Sequence, residues 1–220
     1  MTRGIFIAGN DCALSRAIEA ETVKRVEQYA SAVIPNRISG TVKNQSQETG
    51  RLPLEWNPSS PISARTLAIA AENRLERIDE AILICTPPSI RNSAADLSIS
   101  DVDMMINDQI KGWFFLIKEL ATLFRIRKNG TLALVYPDIS GSGKDDTVDI
   151  IGPSVLASFR AFVNGLLATA ANEPYITMGF YTTDAGNEAA FAAYIFKSLE
   201  DIKKSSNGKL HKFGKFHFFK

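Results

Sequence analysis

The chain has 220 residues, a length that suits one domain with a single large core. Hydrophobic residues make up 45% and charged residues 22%, which is typical of a globular protein and excludes disorder, collagen and coiled-coil fibres as the main state. Lysines and arginines number 25 against 24 acidic residues, and this net charge of +1 argues against a strongly basic nucleic-acid-binding protein.

The cysteines and histidines exclude several classes of site. Cys12 and Cys85 are too few for a disulfide framework or a zinc site. Both histidines, His211 and His217, come near the C-terminus, so the sequence predicts no metal site. No apolar run reaches the length of a membrane span, and the N-terminus lacks the pattern of a signal peptide. We therefore expect a protein of the reducing cytoplasm.

Short apolar runs alternate with segments of helical periodicity along the chain. Apolar runs predict strands over residues 4–8, 30–34, 52–56, 81–85, 131–136, 175–181 and 210–219. Apolar residues at helical spacing predict helices over residues 13–29, 61–78, 101–127, 153–171 and 188–199. Residues 38–51 and 138–149 are polar and predict loops.

This order of elements predicts βαβ units, and hence an α/β fold with a doubly wound, mainly parallel sheet of about seven strands. Helices would cover both faces of the sheet in a three-layer α/β/α arrangement. The sequence shows no boundary inside the chain, so we expect one domain over residues 1–220. Such sheets bind ligands at the carboxyl ends of their strands, so the first strand-to-helix turn, residues 9–15, is the place to expect phosphate chemistry.

Four segments resemble motifs of the short-chain dehydrogenase/reductase family and follow one another in the family's order. The segments are residues 8–15, 110–114, 129–135 and 159–166. In the first, the family has Thr-Gly-x-x-x-Gly-x-Gly, and Gly9 is the one glycine that is kept. The resemblance spans roughly residues 4–200 and implies a Rossmann-like fold of the kind that binds NAD or NADP.

The residues that carry the family's chemistry are replaced. The family uses a tyrosine as general acid, a lysine that lowers the pKa of this tyrosine, a serine that orients the carbonyl group and an asparagine that holds a relay water. The resemblance places Leu156, Arg160, Pro137 and Gln109 at these positions, in the same order. Leu156 and Pro137 have no proton to give, and the fork of Arg160 has a different reach from lysine. We therefore predict that the chain does not run the family's reaction by the family's mechanism.

The first turn has also changed at two glycine positions. Glycines there let the backbone approach a pyrophosphate at the helix N-terminus, and Ala13 and Ser15 now stand in their place. Asp11 adds a carboxylate that would repel phosphate, and Pro88, after the fourth strand, offers no N–H. The sequence leaves both retained and lost dinucleotide binding open.

If a dinucleotide binds, the resemblance favours NADP over NAD. No acidic residue follows the second strand to bind a ribose 2′-hydroxyl, whereas Arg37 could meet a 2′-phosphate. The expected cofactor-binding residues are Gly9, Asn10, Asp11, Leu14, Arg37, Asn57, Thr86 and Pro87.

Three other features have both a functional and a structural interpretation. Tyr136 would be a stand-in acid beside Arg160, or it packs at the end of the fifth strand. Residues 141–145 resemble a phosphate-binding loop but have carboxylates where that loop needs a glycine and a hydroxyl group. Cys12 would be a reactive thiol at a helix N-terminus, or a small turn residue. In each case the structural interpretation is favoured.

The C-terminal half offers surfaces for partners. Residues 203–220 interleave lysines with phenylalanines, as single-strand nucleic-acid binders do, but an edge strand protected by lysines is favoured and nucleic acid is an unlikely partner. The helix at 153–171 is apolar nearly all round. The resemblance implies a helical dimer bundle, so we expect a homodimer or homotetramer through helices at about 101–125 and 153–171, with another protein as the alternative partner.

The favoured interpretation is a pseudoenzyme of short-chain dehydrogenase/reductase type that acts as an oligomeric partner or a nucleotide sensor. An NADP-dependent oxidoreductase with a rewired site around Tyr136, Arg160 and Gln109 is the alternative. A structural or nucleic-acid-contacting protein that uses its C-terminal tail is the third possibility.

Overall fold

A computed structural model describes residues 3–26, 28–34, 50–138, 149–184, 186–202 and 206–214. The strands are β1 (Ile5–Asn10), β2 (Tyr29–Ile34), β3 (Arg51–Leu54), β4 (Glu80–Ile84), β5 (Thr131–Pro137), β6 (Ile176–Thr182) and β7 (Lys209–Phe213). The helices are α1 (Ala13–Val23), α2 (Pro61–Arg74), α3 (Ile99–Ile106), α4 (Gly112–Arg127), α5 (Ile151–Thr169) and α6 (Glu188–Glu200). A π-helical turn, Asn107–Lys111, joins α3 to α4, and a 3₁₀ turn, Ala170–Asn172, follows α5.

These strands form one parallel sheet in the order β3-β2-β1-β4-β5-β6-β7. The strand order reverses between β1 and β4, which lie side by side with Gly9 opposite Ile84. The predicted Rossmann-like α/β fold with a doubly wound sheet is confirmed. Because all the paired strands are parallel, their carboxyl ends meet at one edge of the sheet, where such folds bind ligands.

Two apolar cores fill the space between the sheet and its helices. One face carries α1 and α6, with side chains such as Ile18 and Phe196 against the strands. The other face carries α2, α4 and α5, with Trp113, Phe124 and Phe159 in the core. Every residue of β1 and β4 is buried, because a parallel strand between two helical layers has no face in water.

The structure corrects the bounds of several predicted elements. The periodicity predicted that the first helix extends to residue 29. In the structure this helix ends at Val23, and Tyr29 is the first residue of β2. The predicted helix at 101–127 begins at Ile99 and is interrupted by the π-helical turn. At the far edge of the sheet β7 ends at Phe213, and residues 215–219 of the predicted strand lie outside the described residues.

The helix α5 corrects one further expectation. Residues Ile151–Asn172 are long and apolar enough to cross a membrane by length and composition alone, although no apolar run was expected to reach that length. In the structure α5 packs on β5 and β6 with Val155, Phe159 and Val163 buried. The fold buries 22% of the most apolar stretch, Leu156, Phe162, Leu166 and Leu167 are half-buried, and the exposed positions of the helix are mostly small or polar residues.

An ion pair between Arg3 and Glu80 lies at the amino end of β4. Both Nε and Nη2 of Arg3 donate to Oε1 of Glu80, which is buried. The other carboxylate oxygen, Oε2, has no hydrogen-bond partner in the described part of the chain. Burial disfavours the charged form and raises the pKa of Glu80, and the attraction of Arg3 only partly opposes this effect.

We expect Glu80→Gln to change the pH dependence of stability. The pKa of Glu80 is higher in the folded than in the unfolded chain, so its contribution to the free energy of unfolding is fully present in acid and is lost as the pH rises through the raised pKa. In urea unfolding, the stability of the wild type relative to the variant should therefore fall as the pH rises from the ordinary carboxyl range through the raised pKa of Glu80.

Glu21→Gln provides the matched control. Hydrogen bonds from Lys24 and then Arg25 lower the pKa of Glu21, so its contribution is present at neutral pH and is lost as the pH falls. The wild type should gain stability relative to this variant as the pH rises. If the stability of the wild type relative to the two variants changes with pH in the same direction, the opposite pKa shifts assigned to Glu80 and Glu21 are contradicted.

Candidate functional site

The turn between β1 and α1 lies against β4 at the reversal of strand order. A Cβ atom on Gly9 would come within 2.9 Å of the Cβ atom of Ile84 and 3.0 Å of its carbonyl oxygen, so only glycine fits here. Ser15, which replaces the family's third glycine, is buried and donates from Oγ to the carbonyl oxygen of Asn10 at 2.6 Å. The turn is therefore held tightly to the strands below it.

Cys12 is the N-cap of α1, and its thiol reaches across to the segment after β4. The Sγ atom accepts the backbone N–H of Ser15 at 3.4 Å and lies 3.3 Å from the hydroxyl oxygen of the same residue. It also lies 3.2 Å from Oγ1 of Thr86. Dinucleotides cross a doubly wound sheet where the strand order reverses, so this contact lies on the path that one would take.

The remaining predicted residues of this turn have different surroundings. Asp11 forms an exposed ion pair with Arg16, which places a positive charge beside the carboxylate that was expected to repel phosphate. Asn10 is 8% exposed, and its Oδ1 has no hydrogen-bond partner among the described residues. Leu14 is buried in the core between α1 and the sheet. Pro87 is half-buried after β4.

A cavity of about 690 Å³ opens at the carboxyl ends of β2 and β3. Val33, Leu54 and Trp56 supply apolar parts of its wall, and the first turns of α2 supply Ser63 and Thr66. Its volume falls in the range of small-molecule sites, roughly 300–1,000 Å³. No local sequence pattern indicates this cavity, because residues from two strands and a helix have to meet to form it.

A hydrogen-bonded turn leads from β3 into α2 and forms part of the cavity wall. The hydroxyl oxygen of Ser63 accepts the backbone N–H of Asn57 at 2.9 Å, and Ser60, the N-cap, accepts that of Ser63 at 3.2 Å. Ser59 donates from Oγ to Oδ1 of Asn57 at 2.7 Å. This bond orients the Asn57 side chain and leaves its amino group as the end that can donate to a ligand.

The four residues that the sequence resemblance aligns with the family's catalytic residues are found around the carboxyl end of β5. Gln109 lies in the π-helical turn and is 3% exposed, and its Oε1 has no hydrogen-bond partner in the described residues. Pro137 ends β5, while Leu156 lies on α5 and packs partly against the core. Arg160 follows one turn later on α5 and is exposed. Leu156 and Pro137, which the resemblance aligns with the family's tyrosine and serine, therefore have no hydroxyl group.

Arg160 forms an ion pair with Asp138, the residue directly after β5. Its Nη1 atom lies 3.3 Å and 3.4 Å from the two carboxylate oxygens, and the side chains are 53% and 27% exposed. Asp138 thereby neutralises the cation at the position of the family's lysine. Sequence reasoning missed this pair, since the two residues come together only when α5 packs beside β5.

Tyr136 is buried at the end of β5 among aromatic rings. It is 1% exposed, its ring lies 6.1 Å from that of Phe159, and it stacks on Tyr181 at 5.9 Å. Burial raises the pKa of Tyr136 to about 12, although the charge of Arg160 acts to lower it. Burial therefore outweighs the lowering effect of Arg160 on the pKa of Tyr136. The phenol is a weaker acid than a free tyrosine, the opposite of what an acid catalyst at neutral pH requires.

Several predicted features lie wholly or partly outside the described residues. Arg37 and the segment 141–145 are among them, so the preference for NADP that rests on Arg37 stays a prediction. Parts of the C-terminal tail are also outside, and its described part forms the edge strand β7. Within the described ranges no group of three or more histidine, cysteine, aspartate or glutamate side chains could hold a metal ion.

Comparisons with known proteins identify solved structures that have a similar fold. No protein-family model matches the sequence, and no curated protein matches it either. A short-chain dehydrogenase from Bacillus anthracis has a TM-score of 0.74 and 12% identity, covering 96% of this chain and 94% of that one. ElxO with NADP bound has a TM-score of 0.74 and 11% identity, covering 96% and 97%. A Serratia marcescens short-chain dehydrogenase/reductase mutant has a TM-score of 0.65 and 13% identity, covering 96% and 95%.

These structures are similar to the chain over nearly their whole length. The chain therefore has the fold of short-chain dehydrogenases/reductases, as its motifs predicted. At such low identities the likeness extends to the fold alone.

We expect Gly9→Ala to lower the free energy of unfolding by about 1–3 kcal/mol, because the added methyl group meets Ile84 and its backbone and neither can move aside. Gly165→Ala is the matched control. A Cβ atom there meets nothing within 4 Å, and alanine in a helix is favoured over glycine by roughly 0.5–1 kcal/mol. Urea unfolding at one protein concentration should therefore show a lower free energy of unfolding for Gly9→Ala and a higher one for Gly165→Ala. Equal losses of stability in the two variants would contradict the close contact at Gly9.

Proposed function

We propose that this chain is a self-associating nucleotide-binding protein with the fold of short-chain dehydrogenases/reductases, and that it does not perform their tyrosine-dependent hydride transfer. One observation carries the proposal. Leu156 on α5 and Pro137 at the end of β5 stand where the sequence resemblance aligns the family's proton donor and the hydroxyl group that orients the carbonyl. General acid–base catalysis contributes about 10²–10⁴-fold in rate, and neither side chain can supply it.

Two features support nucleotide binding. The N-terminus of α1 presents backbone N–H groups and the positive end of a helix dipole, which favour a phosphate group. The cavity at the ends of β2 and β3 lies on the same edge of the sheet. NADP is the favoured dinucleotide, and ElxO, which covers 96% of this chain in the structural comparison, was solved with NADP bound.

The second candidate function is an NADP-dependent oxidoreductase with a rewired site. The observation in its favour is electrostatic, because the charge of Arg160 acts to lower the pKa of Tyr136. Burial acts in the opposite direction and prevails, so Tyr136 would hold its proton too tightly to act readily as an acid at neutral pH. We therefore place this function second.

Calorimetric titration with NADPH and NADH, together with an absorbance assay of NADPH oxidation by a panel of aldehydes and ketones, tests the proposal. We expect binding of at least one cofactor and no turnover above the rate in buffer. Turnover of any carbonyl compound would overturn the non-catalytic part of the proposal. Failure of both cofactors to bind would overturn the nucleotide-binding part.

The self-association rests on an apolar surface formed by the end of α3, α4 and α5. Phe114 of α4 is 43% exposed and stacks on Phe162 of α5 with the ring centroids 4.1 Å apart, and Ile106 is 40% exposed. Exposed apolar side chains on these helices suit a symmetric homodimer or homotetramer. Both thiols, Cys12 and Cys85, are free, which agrees with the proposed cytoplasmic location.

We expect Phe114→Glu to convert the oligomer into a monomer, because a carboxylate in the middle of an apolar interface loses its water without gaining a partner. Size-exclusion chromatography with light scattering measures the mass. Ile69→Glu on α2, where Ile69 is 51% exposed, is the control and should leave the mass unchanged. A wild-type chain that is monomeric at all concentrations would contradict the proposed surface.

A further inference from the structure

Resting on the proposed nucleotide binding and self-association, we infer that the two are linked, so that occupancy of the cavity strengthens the association of the chains. The first turn of α4 connects the two regions. Gly112 and Trp113 contact the cavity wall, and the next residue, Phe114, lies on the apolar surface proposed for self-association. This linkage makes the oligomeric state of the protein respond to its nucleotide.

The cavity wall is packed directly on the start of α4. Trp56, which lines the cavity, is buried, and its ring centroid lies 5.5 Å from that of Trp113 in an edge-to-face contact. Pro58 lies in the hydrogen-bonded turn from β3 into α2, and a Cβ atom on Gly112 would come within 2.6 Å of the Cβ atom of Pro58. A displacement of the wall therefore reaches the first turn of α4, because an interior packed this closely has no space to absorb it.

The same turn of α4 is joined to α5 at the self-association surface. On the inner side, the ring centroid of Trp113 lies 5.6 Å from that of Phe159. On the outer side, Phe114 stacks on Phe162 with the ring centroids 4.1 Å apart. A second chain that packs on Phe114 and Phe162 therefore restrains the turn that the cavity wall restrains from the other side.

The π-helical turn Asn107–Lys111 directly precedes this part of α4 and supplies the freedom that both events remove. Turns of this kind interrupt the regular hydrogen bonding of an α-helix and are frequent at functional sites. Inside the turn, the Oε1 atom of Gln109 is buried and has no hydrogen-bond partner in the described residues, so this atom does not hold the turn in place. A nucleotide that orders the turn lowers the entropy that association has to remove, and association does the same for the nucleotide. The coupling is therefore positive, although ligand and partner chain do not touch.

Sedimentation velocity of the full chain, with and without a saturating concentration of NADPH or NADH, whichever binds more tightly, tests the inference. We expect the protein concentration at which half of the chains are associated to fall at least about fivefold with the cofactor bound, the lower end of the usual range for coupled sites. Coupling is reciprocal, and a pair of chains holds two nucleotides. Phe114→Glu, the expected monomer, should therefore bind the cofactor at least about twofold more weakly than the associated wild type in calorimetry.

The outcomes separate this inference from the proposals on which it rests. If the cofactor binds and the chains associate, but the half-association concentration falls less than about fivefold or rises, the linkage is overturned and the proposed function stands. If neither cofactor binds, the proposed nucleotide binding fails and the linkage fails with it. A chain that stays monomeric with and without the cofactor overturns the self-association and the linkage, and leaves nucleotide binding intact.

Trp113→Phe tests the route. The smaller ring weakens the contact with Trp56 and still fills most of the core beside Phe159. Cofactor binding and association should both persist in this variant, while the effect of the cofactor on association should fall below about twofold. An undiminished effect would overturn the route through Trp113.

Phe124→Leu is the matched control, because it also shrinks a buried aromatic side chain of α4. The ring of Phe124 lies 5.8 Å from that of Tyr175, near the other end of the helix. This variant should keep the full effect of the cofactor on association. Equal losses in the two variants would show that a general loss of packing is responsible and would overturn the route. Thermal unfolding of both variants checks that the fold is kept.

Pro58→Ala provides a second test if Trp113→Phe does not fold. It trims the contact with Gly112 and keeps the β-turn in which the N–H of Ser60 donates to the carbonyl oxygen of Asn57 at 3.1 Å, since that turn accepts most residues. Both tryptophans stay in place. The effect of the cofactor on association should decrease at least about twofold. An unchanged effect would overturn the role assigned to the start of α4.

Discussion

The contact of the first turn with β4 is the constraint on which the rest of this structure depends. Gly9 fits there only because it lacks a Cβ atom, and this close packing sets β1 beside β4 where the strand order reverses. The two halves of the sheet meet at this line. Anything that binds across the strand ends must pass over the same turn, past Cys12 and Thr86. One packing contact therefore sets how the two halves of the sheet are joined.

The fold was predictable because its main signal is local. Strands such as β1 and β4 are buried along their whole length, and so each appears in the sequence as an uninterrupted apolar run. Helix ends were less predictable where distant partners decide them. Arg25, two residues after α1, pairs with both Glu21 and Glu200, and no spacing rule contains the second contact. The π-helical turn before α4 likewise has no sequence signature.

The candidate site was predictable as a set of residues but not as a geometry. Gly9, Asn57 and Thr86 were each expected at the carboxyl ends of the strands, and the structure places them there. The contact of Cys12 with Thr86 joins residues 74 positions apart and needs the fold to be seen. For Tyr136 the sequence revealed the charged neighbour but not the depth of burial. Since burial is the larger effect, the direction of the pKa shift could not be predicted.

The changes at the end of β5 form one electrostatically consistent set. A cation near a tyrosine favours the phenolate, but Leu156 offers no phenol to Arg160, and at the nearby Tyr136 burial outweighs the charge of Arg160. Asp138 provides the counter-charge and leaves the pair neutral at the point where the family's chemistry takes place. A tyrosine restored at position 156 alone would therefore meet a guanidinium group that is already engaged. The cavity at β2 and β3 has an oriented amide and two serine hydroxyl groups that, within the described residues, only accept hydrogen bonds, and this difference between the two ends favours binding over catalysis.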